Sequence, residues 1–457
     1  MRQAVYGLAG LVLVALLGFF VLAWRGEIAV QIDLPPELAA PDPEQISKGE
    51  RLALLGNCAG CHTTPGGEKL AGGLAIDTPF GAIYSTNITP DRETGIGDWS
   101  LEAYVRSMRE GVDREGNHLY PAFPYEYFAR ITDTDLADLY VWNMAQPAIA
   151  ATPPPNNLIF GANFRPLLAG WKVLFHSDKR FTPSPGRSQE WNAGAYLAEG
   201  LGHCAACHTP RNSLGGAMES QADQGGEAYD WWAPPLTAAN PTPQIWTEAA
   251  LQSYLRTGRS PAHGVAAGPM ADVVHGSLAK VPESDTGALA HYLADQMARA
   301  PSTQVAPSHR YGIARAELSL DRAAMGTSVF DDGARLFSAN CSTCHHDSGP
   351  SSNAFPRLSD GSAVAGPDPR NLVQVILWGI GGEDAGSGQA YMPRFYEELT
   401  DVQIAAIVEH LRNDSINADL VARLRDGGPV RGAGGGPVSG FASTTAGILS
   451  TDPGATP

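Results

Sequence analysis

The chain has 457 residues, with 48 Asp and Glu against 31 Lys and Arg, a net charge of -17, and a 43% hydrophobic composition. At about 150 residues per domain this length suggests about three domains, each large enough to bury a core. The apolar content excludes a disordered chain, and the negative charge argues against nucleic acid, whose phosphates need a basic face, but not against a membrane.

The first element in chain order is Ala4 to Trp24, which carries no charged residue. As a helix rising 1.5 Å per residue it would reach about 31 Å, enough for the hydrocarbon core of a bilayer. A cleaved signal peptide would have a shorter apolar region, about 7–15 residues, ending in a small-x-small site. This stretch ends instead in Leu22-Ala23-Trp24-Arg25. The expectation is an uncleaved transmembrane helix within residues 1–26. Arg2 favours a cytoplasmic N-terminus, and Arg25 weakens that preference.

The six cysteines form three pairs, each followed at once by histidine: Cys58, Cys61 and His62; Cys204, Cys207 and His208; Cys341, Cys344 and His345. Cys-x-x-Cys-His is the attachment motif of a c-type haem: the thiols add to the vinyl groups and the histidine becomes the proximal iron ligand. A zinc ribbon uses two Cys-x-x-Cys pairs per metal with no histidine fixed after each, and structural disulfides would not repeat this spacing. Three covalently bound haems c are therefore expected. Such haems are attached outside the bacterial cytoplasmic membrane, which puts the bulk of the chain in the periplasm.

The motif histidines recur 146 and 137 residues apart, which reads as a triplicated domain rather than a short-period solenoid. A helix is expected before each motif, over Ile46–Leu52, Trp191–Leu197 and Asp332–Phe337, each with a glycine that would permit a close helix crossing. A second helix closes each copy: Leu136, Leu139, Tyr140 and Trp142 after Thr132-Asp133; Leu289, Tyr292 and Leu293 after Ser284-Asp285; Ile404, Ile407, Val408 and Leu411 after Thr400-Asp401. The apolar residues mostly share one helical face, and the Ser, Thr and Asp residues are N-cap chemistry. The fold expected is all-α: three cytochrome c-like haem domains in tandem behind one N-terminal transmembrane helix. The domains fall at 45–150, 171–300 and 325–415. Pro153-Pro154-Pro155 and the run from Pro301 to Pro307 separate them, and residues 427–457, rich in Gly and Pro, read as a flexible tail.

A second axial ligand is sought among eight methionines. Met392, beside Pro393, and Met270, beside Pro269, each precede the last helix of their copy, and are the expected distal ligands of the third and second haems. Methionine with histidine suits electron transfer, whereas an open iron suits chemistry. His346, next to a motif histidine, reads as a surface residue, and His203, next to Cys204, as facing solvent or supporting the site without being a ligand. Trp99, Trp231, Trp232 and Trp246 read mainly as packing residues. No Ser-His-Asp pattern, nucleotide loop or paired carboxylate supports substrate chemistry.

Three runs in the first copy, Pro79 to Asp91, Thr94 to Trp99 and His118 to Tyr125, resemble the triheme cytochrome c subunit of membrane-bound bacterial dehydrogenases, as found in quinone-reducing alcohol dehydrogenases. Phe164 to Trp171 and Gly200 to Asn212 are similar to its second unit, and the likeness covers about residues 45–415. The resemblance implies a subunit that takes electrons from a catalytic dehydrogenase and delivers them to ubiquinone or another respiratory acceptor. The catalytic partner could be a quinoprotein, a flavoprotein or a molybdenum hydroxylase. Two alternatives remain: a peroxidase-like enzyme with an open first haem, and a cytochrome c subunit of a terminal oxidase.

The first copy differs at the distal position. Aligned without a gap from Trp99 and Trp246, Gly111 meets Gly258 and Phe123 meets Met270, while Met108 meets Leu255. The residue fifteen before Met392 is Leu377. The cytochrome c fold implies that this Leu position packs over the haem, so Met108 is the candidate sixth ligand of the first haem. Core filling by Met108, with an open iron or one bound by His118 or Met144, is the alternative.

Overall fold

The computed structural model describes residues 17–30, 42–298, 332–345, 357–381 and 392–428, together with 6, 10 and 14. The first group of elements is α1 (Pro43–Leu55), α2 (Cys58–His62), the hairpin β1 (Ala75–Thr78) and β2 (Gly81–Tyr84), α3 (Leu101–Glu110) and α4 (Asp133–Met144). A link with β3 (Asn157–Leu158) and α5 (Leu167–Phe175) leads to the second group. That group is α6 (Gln189–Glu199), α7 (Ala205–His208), the pair β4 (Gly226–Ala228) and β5 (Trp231–Ala233), α8 (Glu248–Thr257), the pair β6 (Arg259–Ser260) and β7 (Gly264–Val265), and α9 (Glu283–Ala298). The third is α10 (Asp332–Asn340), α11 (Arg370–Trp378), α12 (Asp401–Arg412) and α13 (Ala418–Asp426).

The chain is helix-rich, but the all-α expectation needs correcting. Three small antiparallel sheets are present, ordered β1-β2-β3, β4-β5 and β6-β7. Their strands are two to four residues long, too short to show a period of two in the sequence. In the first, Ala75 faces Tyr84 and Thr78 faces Gly81. The turn closes where the Thr78 hydroxyl donates to the Gly81 carbonyl at 2.7 Å.

Each copy clasps its motif between an entering and a closing helix: α1 on α4, α6 on α9, α10 on α12. The expected glycines make these crossings. A Cβ on Gly49 would lie 2.2 Å from the Asp138 carbonyl oxygen, one on Gly194 2.0 Å from that of Ala288, and one on Gly333 2.2 Å from that of Ala406. Thr132 and Thr400 cap their helices as their sequence positions imply, accepting from the Asp135 and Gln403 N–H groups. Asp285 does not cap. It lies inside α9, and its carboxylate accepts two hydrogen bonds from Arg51 of the first copy, both 2.6 Å. Helix α1 begins before Ile46, because Asp42 caps the Glu44 N–H and Pro43 occupies the first turn.

Among the described residues, three sequence copies bury two cores. Leu52, Leu139 and Trp142 of the first copy pack in one cluster with Leu197, Leu251 and Leu293 of the second. The third has its own, around Phe337, Leu377, Ile404 and Val408. That cluster also takes Val421 and Leu424 from α13, so the third group continues past residue 415. It docks on the second through Asn371. Its side chain accepts from the Trp232 N–H (2.8 Å) and donates to the Trp232 carbonyl (2.7 Å). Arg370 pairs with Glu227 at 2.6 Å beside it.

Only part of Ala4 to Trp24 is described; residues 17–23 are helical. Among the described residues no helix is long and apolar enough to cross a membrane. The expected start of the third domain at 325, His346, and all but two residues of the 427–457 tail lie outside the described residues.

Candidate functional site

The first two motifs are entered alike. Asn57 and His203, each just before its first cysteine, hold positive φ of 48° and 37°. This left-handed conformation, tolerated by Asn and His better than by most residues, turns the chain from the entering helix into the motif turn. Of the two readings of His203, the structure favours a contact beside the site over one with solvent, since His203 also lines the cavity with Cys204. Burial lowers its pKa, and its ring packs 5.7 Å from that of Phe128.

The motif histidines are held by backbone. His62 Nδ1 lies 2.7 Å from the Thr86 carbonyl oxygen and His208 Nδ1 2.6 Å from that of Pro234. A carbonyl only accepts, so each Nδ1 carries the proton and each Nε2 keeps a lone pair for a metal. Burial lowers the pKa of both rings, which favours the neutral, ligating form. Two further bonds repeat. The Gly72 and Gly225 N–H groups donate to the His62 and His208 carbonyls, each at 2.8 Å. The hydroxyls of Thr63 and Thr209 accept from Leu70 N–H (3.1 Å) and Asp223 N–H (2.9 Å). Sequence reasoning missed these partners, although a threonine directly after each of the two histidines was a visible signal. In the third motif the His345 N–H donates to the Cys341 carbonyl at 2.9 Å.

All six cysteine sulfurs are free of disulfides. One cavity of about 3060 Å³ is lined by Cys61, Cys204, Cys207, His208, Met270, His345 and Met392, so parts of all three motifs and two of the candidate methionines share it. Trp231, Trp246 and Trp378 also line it. Their indole N–H groups are buried and have no hydrogen-bond partner among the described residues. A haem fits this donor set: thiols for its vinyl groups, a neutral imidazole for its iron, and buried N–H groups that its propionate carboxylates would satisfy. The Trp246 ring also stacks on His263 at 3.6 Å.

The first two copies superpose in register at the distal side. Helices α3 and α8 have ten residues each, capped by Ser100 and Thr247, and end at Gly111 and Gly258 with φ of 60° and 72°. The loops close alike, Leu119 N–H to the Gly111 carbonyl (2.7 Å) and Ala266 N–H to that of Gly258 (2.8 Å). Phe123 therefore takes the chain position of Met270. Phe123 packs edge-on against Phe128 at 5.4 Å. Met108 is 6% exposed on α3. It shares a face with Tyr104, whose pKa is raised by burial and by the nearby Cys58. Its counterpart Leu255 lines the cavity with His208. In the third copy the helix-ending glycine is Gly379. Counted from it, Ile376 rather than Leu377 matches Met108, and the loop to Met392 is one residue longer.

His118 is not placed for the first haem. Its Nε2–H points at the Leu22 and Ala23 carbonyls (3.1 and 3.2 Å), and its Nδ1 accepts from Lys172 at 2.9 Å. Burial and the Lys172 charge lower its pKa to about 4, so it stays neutral. Met144 packs at the edge of the shared core.

Helix pairs packed around Cys-x-x-Cys-His turns, with the first two histidines neutral and fixed through Nδ1, define a c-type cytochrome. Residues 330–415 match the cytochrome c family model. The chain is 34% identical over 418 residues to the fructose dehydrogenase cytochrome subunit of Gluconobacter japonicus, covering 86% of this chain and 85% of that protein. It is 35% identical over 402 residues to the gluconate 2-dehydrogenase cytochrome c subunit of Pantoea cypripedii, covering 83% and 89%. It is also 43% identical over 404 residues to a nicotinate dehydrogenase subunit of Pseudomonas putida, covering 86% of this chain but only 32% of that longer protein. The chain belongs to the family of cytochrome c subunits of membrane-bound dehydrogenases.

Proposed function

We propose that this chain is the electron-transfer subunit of a periplasmic, membrane-bound dehydrogenase complex. It takes electrons from a catalytic subunit, passes them along three covalently held haems c, and delivers them to ubiquinone or another respiratory acceptor. The observation that carries this reading is the cavity onto which parts of all three motifs open. Bound haem supplies one-electron oxidation and reduction of iron. The protein's own residues do the rest. Cys58, Cys61, Cys204, Cys207, Cys341 and Cys344 would hold the group covalently, and His62, His208 and His345 would ligate its iron. Met270 and Met392 would supply the second iron ligand in the second and third copies, and Met108 would do so in the first, with Phe123 filling the space that methionine would otherwise take. Thr86 and Pro234 carbonyls keep the first two imidazoles in the ligating tautomer.

The apolar stretch Ala4 to Trp24 anchors the complex beside the acceptor pool. The catalytic partner is a quinoprotein, a flavoprotein or a molybdenum hydroxylase. The 43% identity to the nicotinate dehydrogenase chain supports a partner that oxidises a nitrogen heterocycle. The test is to purify the complex from its own membranes and add the substrate of the co-purified dehydrogenase. The haem α-band should rise within the first turnovers. A dehydrogenase that reduces a dye while the haems stay oxidised would contradict the proposal.

A further inference from the structure

Helix α5 is amphipathic the wrong way round for a helix facing water. Its outward positions are Leu167, Gly170, Val173 and Leu174. The three side chains are 54%, 65% and 67% exposed, and a Cβ on Gly170 would meet nothing within 4 Å. Its one charged residue, Lys172, points inward. The ammonium donates to the Glu110 and Gly111 carbonyls, both 2.6 Å, and to His118. The chain just before α5 adds exposed Phe160 and Phe164 to the same segment. Phe164 and Leu167 also edge the cavity of the candidate site, so the part of the face that turns away from it is Phe160, Val173 and Leu174, with the exposed Asn163 between the aromatic residues. Exposed apolar side chains gathered in this way mark a covered face rather than a solvated one.

The occupant is indicated by what lies next to it. Lys172 binds His118, and His118 binds the carbonyls of Leu22 and Ala23. Arg25 then pairs with Glu110, and Arg106 donates to the Gly26 carbonyl at 2.7 Å. The apolar N-terminal stretch therefore leaves the folded part beside α5, at the carboxyl end of α3. Trp24, Phe160 and Phe164 supply the aromatic residues favoured where a protein meets the headgroup layer. We propose that residues 159–174 rest on the lipid bilayer, with the apolar face of α5 in the interface plane, as a second membrane contact beside the N-terminal span. This rests on the reading of Ala4 to Trp24 as a membrane span. It adds that the contact fixes which side of the cytochrome faces the bilayer.

The experiment is lipid-phase photolabelling of the full complex in its native membranes with an apolar diazirine, followed by peptide mapping. Label is expected on residues 4–24 and on 159–174. Label on 4–24 alone overturns this inference and leaves the anchor intact. Label on neither stretch removes the anchor and this inference with it. Cross-linking of 159–174 to a protein subunit in place of lipid label also overturns it. In the full chain carrying Val173→Asp with Leu174→Asp, the haem spectrum should be unchanged. Label on 159–174 should fall several-fold while that on 4–24 persists; undiminished label there would contradict the proposal.

Discussion

The chemistry of each site turns on a few side chains whose identity the covalent haem linkage dictates. Met270 and Met392 face the cavity that also takes His208 and His345. Replacing either by leucine keeps the volume but removes the thioether, so one haem per variant should become high-spin and its reduction potential should fall. An unchanged low-spin spectrum in either variant would show that the methionine is core filler. In the first copy the corresponding test is Met108→Leu. Loss of one methionine-to-iron charge-transfer band is expected, whereas Phe123→Leu should leave that band in place. Retention of the band in Met108→Leu would remove Met108 from the ligand set. The nine motif residues could be named from the sequence alone because haem attachment demands both residue type and spacing. The acceptors for His62 and His208 were not, since a backbone carbonyl, here of Thr86 and Pro234, leaves no mark in residue identity.

Among the elements, the helix crossings were the most legible feature, because only glycine allows backbone approach this close. Gly194→Ala would put a methyl group 2.0 Å from the Ala288 carbonyl oxygen, and the helices α6 and α9 would have to part. The expected destabilisation is about 1–3 kcal/mol or more, read from the midpoint of thermal or denaturant unfolding. Gly170→Ala is the control: its Cβ enters open space in a helix, where alanine is favoured by about 0.5–1 kcal/mol. Equal effects of the two substitutions would refute the packing argument. The short strands escaped notice because two to four residues hold no readable alternation. Asp285 misled for a different reason. An acid near a helix start looks like a cap, and its pairing with Arg51, 234 residues away in sequence, is a tertiary fact.

Across the full chain, the copies are not equivalent beads. The first two share one core and are locked by Arg51 and Asp285, whereas the third meets the second through Asn371, Arg370 and the β4-β5 pair. That pair also holds the second site, since Pro234, next to β5, accepts from His208. Electron transfer slows steeply with distance, so in the proposed three-haem relay the docking of α11 would set the rate from the second haem to the third. Asn371→Ala combined with Arg370→Ala should slow that step in flash-reduction kinetics while leaving all three potentials close to wild type. An unaltered rate would show that this junction does not set the spacing.

Whether three motifs hold three haems in one chain can be read from the intact mass of the denatured protein. Thioether links survive unfolding, so the expected value is the mass of the chain plus three haems, falling to two when Cys207 and Cys204 are both replaced by alanine. A wild-type chain carrying two haems or fewer, or a variant that still carries three, would contradict the assignment.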